Sequence, residues 1–439
     1  MSASGTVAVR GAAQAASGRW EAERSRASDL LAAHGSPLWI ADADRVRANA
    51  RAVRAAFPGA RLAYSYKTNR LLAFLRALDD EGVAPEVVCE AEYALARDVV
   101  GADGEAIVVN GPAKPDTLLA RAADDRALVV VDTAGELDRV AAVGGGRVGL
   151  RVALDSFGAL PSRFGIAPHE VEAAARQARA LGLRVEALSA HLVSTDFTER
   201  PVAGRPLAAD VRVRWPKPPE EHSRAARALA ALARTVGAPL VDLGGGWPGA
   251  ADLEPYARAV AAALRGDGFG GELLVEPGRA LVRDAVDLAC TVVAVKALAD
   301  GTPCAVLDAG TNVVPGALWG APRVEPLEVA SRAAPRPTLL SGPLCLNVDV
   351  VHPAARLPPL APGDTLVVRD VGAYQQVHAT QFGEPRPAVV VRDGGSGRWP
   401  AGASGSTTWW RQSATPCTSV NGGDEGVCDG APRRSGAPK

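Results

Sequence analysis

The stretch RLAYSYKTN, residues 61–69, opens the repeating pattern that decides the fold. Its first seven residues have the apolar and aromatic character of a β-strand, which ends at Lys67. Similar strand-like runs recur at 85–90, 106–111, 128–132, 148–154, 185–193, 240–245 and 272–278. Segments of helical period, rich in alanine, leucine and arginine, lie between them. Strands that alternate with helices pair in parallel, and eight such units close a (β/α)8 barrel.

An open, doubly wound sheet is the alternative, but the Gly-rich fingerprint that usually follows its first strand is missing from this sequence. We therefore predict a TIM-type barrel over residues 29–285. From 286 to 393, short β-type runs separated by Gly and Pro predict a C-terminal β domain. The segment 29–43 precedes the barrel pattern and can add a strand to that domain. Residues 1–28 and 394–439 lack apolar periodicity, and we expect both to be disordered.

The composition is that of a globular protein with a small ligand. The 439 residues are 47% hydrophobic, and 48 basic residues nearly balance 49 acidic ones, which argues against nucleic acid and anionic membranes as partners. Neither a signal peptide nor a run of about 20 apolar residues, the length of a membrane span, is present. Six cysteines without CxxC spacing favour reduced thiols over disulfides or a metal site. A cytoplasmic location is the expectation.

Polar residues end or follow several predicted strands, where a barrel builds its active site. Lys67 ends the first strand, and Ser194 and Gly244–Gly246 follow the sixth and seventh. Glu276 and Arg279 follow the eighth. Glycine N–H groups, a hydroxyl and a guanidinium suit a phosphate, while a carboxylate can pair with a protonated ring nitrogen. Together with an amine, these are the fixed points that pyridoxal 5'-phosphate requires, although a lone lysine or a glycine triplet would prove little.

The motifs, taken in order, resemble those of the fold-type III pyridoxal-phosphate decarboxylases. This group comprises diaminopimelate, ornithine and arginine decarboxylases and shares its barrel with alanine racemase. The resemblance extends from about residue 37 to 391, and several ordered motifs make it more specific than any single one. The motifs are PLWIAD, AYSYKTN, EVVCEAEYALA, NGPAK, SRFGI, HLVS, DLGGGWP, EPGRALV, LDAGTN, SGPLC and PGDTLVVRDVGAY.

The resemblance implies a role for each matching residue. Lys67 would bind the cofactor covalently, His191 would stack on its ring, and Glu276 would meet the pyridine nitrogen. The remaining cofactor contacts would come from Ser194, Gly245, Gly246, Gly278, Arg279 and Tyr374. Cys345 would protonate the carbanion left by CO2, reaching the site from the partner chain of a homodimer.

Structural roles are the alternative for several of these residues. Cys345 could be a small buried hydrophobe, His191 a core histidine and Tyr374 the cap of a strand. Glu92 and Lys114 follow the second and third strands and suit a surface ion pair as well as a functional site.

The sequence departs from the family where the substrate is recognised. In diaminopimelate and ornithine decarboxylases an acidic residue follows the cysteine and binds the distal amine, whereas here Leu346 and Asn347 follow it. Leucine cannot pair with an ammonium group, and an unpaired buried charge costs several kcal/mol. We therefore expect a neutral, acylated or anionic substrate tail instead of a free diamine-type amino acid. The remaining predicted substrate contacts are Asp349, Arg279 and Trp319, which stands where tyrosine is usual.

A long Arg- and Pro-rich excursion at 195–219 is either a substrate lid or a passive insertion. The predicted function is decarboxylation of an L-amino acid or derivative in specialised metabolism, such as natural product biosynthesis. A racemase or epimerase is one alternative, but alanine racemase has an arginine in place of Glu276, and Cys345 also favours decarboxylation. A catalytically silent homologue that binds a partner protein is the other.

Overall fold

A closed barrel of eight parallel strands forms the first part of the molecule. The computed structural model describes residues 26–154, 162–192, 195–197, 211–213, 215–383, 385–394 and 408–412. The barrel strands are Arg61–Ser65, Ala84–Val87, Val108–Val109, Leu128–Val131, Arg147–Arg151, Arg184–His191, Leu240–Gly244 and Glu272–Glu276. The last strand pairs in parallel with the first, through Leu274 with Arg61 and Val275 with Leu62. The predicted (β/α)8 barrel is confirmed.

Helices connect the barrel strands at the positions that the apolar periodicity indicates. They are Leu72–Asp80, Glu90–Ala94 with a π-helical continuation Leu95–Val100, Asp116–Asp124, Glu136–Ala142, Val171–Ala180, Pro219–Val236 and Glu254–Gly266. Shorter helices lie at Gly278–Val282 and Gln375–His378, and two precede the barrel, at 26–34 and Ala43–Ala56. None of the helices in the described part of the chain is long and apolar enough to cross a membrane.

Alternation along the barrel strands separates an apolar layer from a polar one. One set of inward-facing side chains forms a small buried cluster of its own, made of Ala63, Val108, Leu128, Val130, Ala187, Leu240 and Leu274. Successive side chains of a strand point to opposite faces, so the residues two positions further along also point inward. These are polar in several strands: Ser65, Ser189, Asp242 and Glu276. The carboxyl end of the barrel therefore has a polar interior above an apolar floor.

A nine-stranded sheet forms the second part of the molecule in the described ranges. Its strands are Leu38–Asp42, Val286–Ala297, Pro303–Leu307, Arg323–Glu328, Arg336–Ser341, Val350–Leu357, Thr365–Arg369, Ala388–Asp393 and Thr408–Gln412. Leu38–Asp42 lies between Val286–Ala297, to which it is antiparallel, and Ala388–Asp393, to which it is parallel. An N-terminal strand thus belongs to the sheet built mainly by the C-terminal part of the chain.

Two segments are ordered where the sequence predicted disorder. The helix at 26–34 begins within the predicted disordered N-terminus, because Ala27 and Leu30 bury their side chains against the sheet. In the tail, Thr408–Gln412 pairs antiparallel with Ala388–Asp393, as its aromatic TWWRQ sequence allows. The other residues of 1–25 and 395–439 lie outside the described part of the chain.

The excursion at 195–219 contains a short antiparallel pair of strands, Thr195–Phe197 and Val211–Val213. Residues 198–210 lie outside the described ranges. The excursion ends at the N-terminus of helix Pro219–Val236, where proline at the first helical position suits a helix start.

Candidate active site

Lys67 lies at the carboxyl end of the first barrel strand, in a 3₁₀ turn, Tyr66–Thr68. The prediction that it ends the strand itself was wrong by two residues, since the strand stops at Ser65. Its Nζ lies 2.9 Å and 3.2 Å from the two carboxylate oxygens of Glu86. Burial lowers the pKa of Lys67, but the charges of Glu86 and Glu276 outweigh burial and the net shift is upward. The amine is therefore held as an ammonium, paired with a fully buried carboxylate.

The amine faces a cavity of about 310 Å³. The cavity is lined by Lys67, Glu86, Val88, Asn110, Gly111, Pro112, Arg151, Arg163, Phe164, Ser189, His191 and Glu276. The structure thus brings together three of the predicted site residues, Lys67, His191 and Glu276. A space of this size fits a small, flat cofactor ring with part of a substrate.

Glu276 is 2% exposed and presents its carboxylate to the cavity. Asn110 donates a hydrogen bond of 2.9 Å from Nδ2 to Glu276 Oε1, and His191 Nδ1 lies 3.8 Å from Oε2. Burial raises the pKa of Glu276, while Lys67, Arg151 and Asn110 oppose that shift. Burial also lowers the pKa of His191 to about 3, so its ring is neutral at physiological pH. A carboxylate and a flat, uncharged ring therefore border the same space.

Arg279 marks an anion site beside this cavity. Its guanidinium carbon lies 5.4 Å from the ring centre of Trp215 and 4.9 Å from that of Tyr374. In the part of the chain that the structure describes, Arg279 forms no ion pair with a carboxylate. Gly245 and Gly246 both have φ of +72°, a left-handed backbone conformation that residues with a side chain rarely adopt. An unpaired guanidinium, linked through Trp215 to the loop that contains these two glycines, suits a phosphate.

The end of the long excursion contributes to this anion site. Trp215 donates a hydrogen bond of 2.7 Å from Nε1 to the Trp247 carbonyl, and the Lys217 N–H donates one of 2.9 Å to the Gly246 carbonyl. The Lys217 side chain also packs where a Cβ at Gly246 would lie. The excursion is therefore tied to the glycine loop and stacks its tryptophan on Arg279.

Ser194 and Gly278 are the two remaining predicted cofactor contacts. Ser194 lies outside the described residues. A Cβ at Gly278 would meet the Thr68 side chain, so this glycine allows the helix Gly278–Val282 to pack closely against the turn that carries Lys67.

The predicted residues of the β domain do not line the cavity of their own chain. Cys345, Leu346, Asn347 and Trp319 are exposed. Asp349 is buried, and its carboxylate accepts hydrogen bonds from the backbone N–H groups of Thr311 (2.7 Å) and Leu344 (2.8 Å). Asp349 therefore holds the loop that carries Cys345 instead of facing the cavity beside Lys67.

Lys114 and Glu92 are bound by other groups of the protein, but both side chains are buried and do not form a surface ion pair. Lys114 Nζ lies 3.0 Å from Glu136 Oε1 and donates to the Gly111 carbonyl at 2.6 Å, and both charged groups are buried. Glu92, also buried, accepts a hydrogen bond of 3.0 Å from the Val88 N–H. Both side chains brace loops at the cavity without lining it.

Sequence reasoning missed Glu86, Arg151 and Asp242. Glu86 and Asp242 lie two residues from Ala84 and Leu240 on their strands, so strand alternation could have placed both inside the barrel. Arg151 is the last residue of the observed strand Arg147–Arg151 and lies 3.4 Å from Asp132 and 4.5 Å from the ring centre of Phe164. Its position depends on contacts between distant loops, for which the sequence offers no local signal.

The fold and the site define a class: a barrel with an amine, an anion site and a buried carboxylate at its carboxyl end, joined to a β domain. Residues 43–203 match the family model described as pyridoxal-dependent decarboxylase, pyridoxal binding domain. Diaminopimelate decarboxylase of Deinococcus radiodurans is 32% identical over 388 residues, which cover 84% of this chain and 94% of the relative. Lysine/ornithine decarboxylase of Selenomonas ruminantium is 26% identical, covering 82% and 90%.

A solved structure has the same architecture. Diaminopimelate decarboxylase of Helicobacter pylori, complexed with L-lysine, superposes with a TM-score of 0.71 at 21% identity, covering 83% of this chain and 94% of that one. The chain therefore belongs to the fold-type III, pyridoxal-phosphate-dependent amino-acid decarboxylases, and its class of enzyme is the carboxy-lyases.

We expect Trp215→Ala to weaken the affinity for pyridoxal phosphate by about 3- to 30-fold, the range of a partly buried cation–π contact. The change removes the ring beside Arg279 together with the hydrogen bond to the Trp247 carbonyl. Absorbance titration of the cofactor-free protein with pyridoxal phosphate measures the affinity. Trp215→Phe keeps an aromatic ring and should lose less. Equal affinity in the alanine variant and the parent would contradict a role for this ring.

Proposed function

We propose that this protein decarboxylates an L-amino acid, or a derivative, whose side chain carries no free terminal ammonium group. The proposed enzyme is a homodimer with two shared sites and acts in specialised metabolism. The observation that carries the substrate class is Leu346 with Asn347 directly after Cys345, where diaminopimelate and ornithine decarboxylases have an acid.

The charge at the cavity supports the same substrate class. Arg151 and Arg163 place their guanidinium carbons 4.5 Å and 3.8 Å from the ring centre of Phe164. Asp132 lies 3.4 Å from Arg151, whereas Arg163 has no ion pair with a carboxylate of the described residues. A second ammonium on the substrate would be repelled there, while a neutral or anionic tail would be accepted.

The residues present fit pyridoxal phosphate. Lys67 would hold it covalently, and Arg279, Gly245, Gly246 and Tyr374 would hold its phosphate. When bound, the cofactor supplies an electron-withdrawing ring that accepts the electron pair released as CO2 leaves. Glu276 would keep the ring nitrogen protonated, which strengthens that withdrawal.

The proton for the product would come from Cys345 of the partner subunit. Cys345 is exposed, and large apolar side chains on the same loops are exposed with it: Leu318, Trp319, Leu346, Val348 and Phe382. Hydrogen bonds join the loops, from the Thr311 N–H to Asp349 and from Asn312 to the Phe382 carbonyl. Exposed apolar patches of this kind are typical of interfaces. A second copy of the chain that covers this patch would bring its own Cys345 to the cavity.

A screen of CO2 release tests the proposal. The screen uses the purified protein with proteinogenic, N-acylated and dicarboxylic amino acids, including lysine, ornithine and diaminopimelate. Release from a neutral, acylated or dicarboxylic amino acid supports the proposal. Exchange of the α-hydrogen in deuterated water without CO2 release would select a racemase or epimerase. Cofactor binding and dimerisation without turnover of any amino acid would select a silent homologue.

We expect Leu346→Asp to raise kcat/KM for lysine, ornithine or diaminopimelate by about 10- to 100-fold, the value of one charge-assisted hydrogen bond. The new carboxylate would pair with the distal ammonium of these substrates. CO2 release is measured against the parent and against Leu346→Asn, since asparagine has the size of aspartate without its charge. The comparison distinguishes an effect of the charge from an effect of side-chain shape. Efficient turnover of any of these substrates by the parent would show that our interpretation of Leu346 is wrong.

A further inference from the structure

Asp242 is a buried carboxyl group in the barrel interior, and the proposed reaction assigns it no role. It lies on the strand Leu240–Gly244 and is 0% exposed. Its neighbours across the parallel ladders are Ser189 and Leu274. Two residues further along, Gly244 pairs with both His191 and Glu276. Asp242 therefore belongs to the polar interior of the barrel and is offset by two residues along the ladder from His191 and Glu276.

The surroundings of Asp242 do not suit an ionised carboxylate. Neither of its oxygens accepts a hydrogen bond of ordinary geometry from the described residues. No lysine or arginine of that part of the chain forms an ion pair with it. A buried carboxylate without a paired counter-ion is very unfavourable, so a proton on the group is the physical alternative.

Glu276 offers an acceptor for that proton, because it lies on the neighbouring strand two residues beyond Leu274, the ladder partner of Asp242, and both carboxyl groups point into the barrel. Burial, followed by the charge of Glu276, raises the pKa of Asp242 well above its usual range; Glu86 adds to this shift, while the Ser189 hydroxyl and Arg151 oppose it. Two adjacent buried carboxyl groups cannot both ionise, and the pair retains one proton.

We propose that Asp242 is a positioning residue: a neutral carboxylic acid that donates a hydrogen bond to Glu276 and keeps Glu276 ionised for the cofactor ring. The proposal deepens the site assignment above and rests on Glu276 as the partner of the ring nitrogen. Asn110 donates to Oε1 of the same carboxylate. Two neutral donors therefore stabilise one buried negative charge without adding a counter-ion that would compete with the ring.

Infrared difference spectroscopy of the purified protein tests the protonation of Asp242 directly. At about pH 8, where an ordinary aspartate is ionised, the wild type should show a C=O stretch of a protonated carboxylic acid. This band should be lost in Asp242→Asn and kept in Asp300→Asn, a matched change at an exposed site. If the band is missing from the wild type, or survives in Asp242→Asn, the proposal is overturned. The result does not depend on turnover, so it is separate from failure of the proposed reaction.

Rescue by an amide distinguishes hydrogen bonding from packing. Asp242→Asn keeps a donor for Glu276, so we expect CO2 release within about threefold of wild type, whereas Asp242→Leu should lower it about 10- to 100-fold. Equal losses in the two variants would overturn the donor role.

Thermal unfolding gives a readout that needs no substrate. The folded protein retains a proton on Asp242 that the unfolded chain releases above the ordinary aspartate pKa, so this group makes stability fall as pH rises. The melting temperature of Asp242→Asn relative to wild type should therefore increase from about pH 5 to about pH 8. A difference that does not change with pH would contradict a protonated Asp242.

Discussion

Replacing Lys67 by alanine should lower the rate of CO2 release by at least about 10³-fold and remove the visible absorbance of the bound cofactor, because the amine is the covalent attachment point. Lys67 is the one lysine that lines the described cavity. Its ammonium also pairs with Glu86, which is 0% exposed. Loss of the amine therefore removes both the chemistry and the counter-ion of a buried carboxylate.

Loss of the counter-ion of Glu86 must be distinguished from loss of the covalent attachment point. An unpaired buried carboxylate destabilises a protein by about 3–5 kcal/mol, so part of any loss in Lys67→Ala could come from unfolding. Lys67→Arg keeps a positive charge beside Glu86 but cannot form the covalent link, so it should fold and still be inactive. Lys296→Ala, at an exposed position of the β sheet, is the control for loss of a lysine. Covalent cofactor binding that survives in Lys67→Arg would contradict the assignment.

Much of the barrel could be predicted from sequence because each element carries its own signal. The segment of helical period between the sixth and seventh predicted strands forms the helix Pro219–Val236, since proline suits its first turn and Gly237, with φ of +71°, ends it. The eight strands were found by their apolar runs. Their ends were less predictable: the run at 106–111 contains only Val108–Val109 as strand, because Asp103 caps a 3₁₀ turn over Gly104–Ala106.

The site was predictable only where a motif carries chemistry in sequence order. Lys67, His191 and Glu276 follow or end strands, and parallel strands bring those ends together. Trp215 could not be placed, because its stacking on Arg279 joins the excursion to a short helix more than sixty residues away in the chain. Asp242 could not be recognised for a different reason: in the sequence it is one polar residue in a buried strand, and only its place beside the strand that carries Glu276 gives it a role.

Replacing Cys345 by alanine should lower the rate of CO2 release about 10²- to 10⁴-fold, the contribution of a general acid, while cofactor absorbance stays unchanged. The thiol is exposed in the single chain and does not line that chain's cavity, so it should leave cofactor binding intact. Cys304→Ala, a change at a buried cysteine of the β sheet, is the control. Unchanged turnover in Cys345→Ala would remove it as the acid.

Mixing two inactive variants decides whether Cys345 acts across a dimer interface. Lys67→Ala and Cys345→Ala chains, unfolded together and refolded, should recover about a quarter of wild-type activity, since half of the dimers are mixed and each has one intact site. In a mixed dimer that site combines Lys67 of one chain with Cys345 of the other. If Cys345 served its own chain, no site would contain both residues and the mixture would stay inactive. Recovery therefore requires both a dimer and a thiol supplied by the partner.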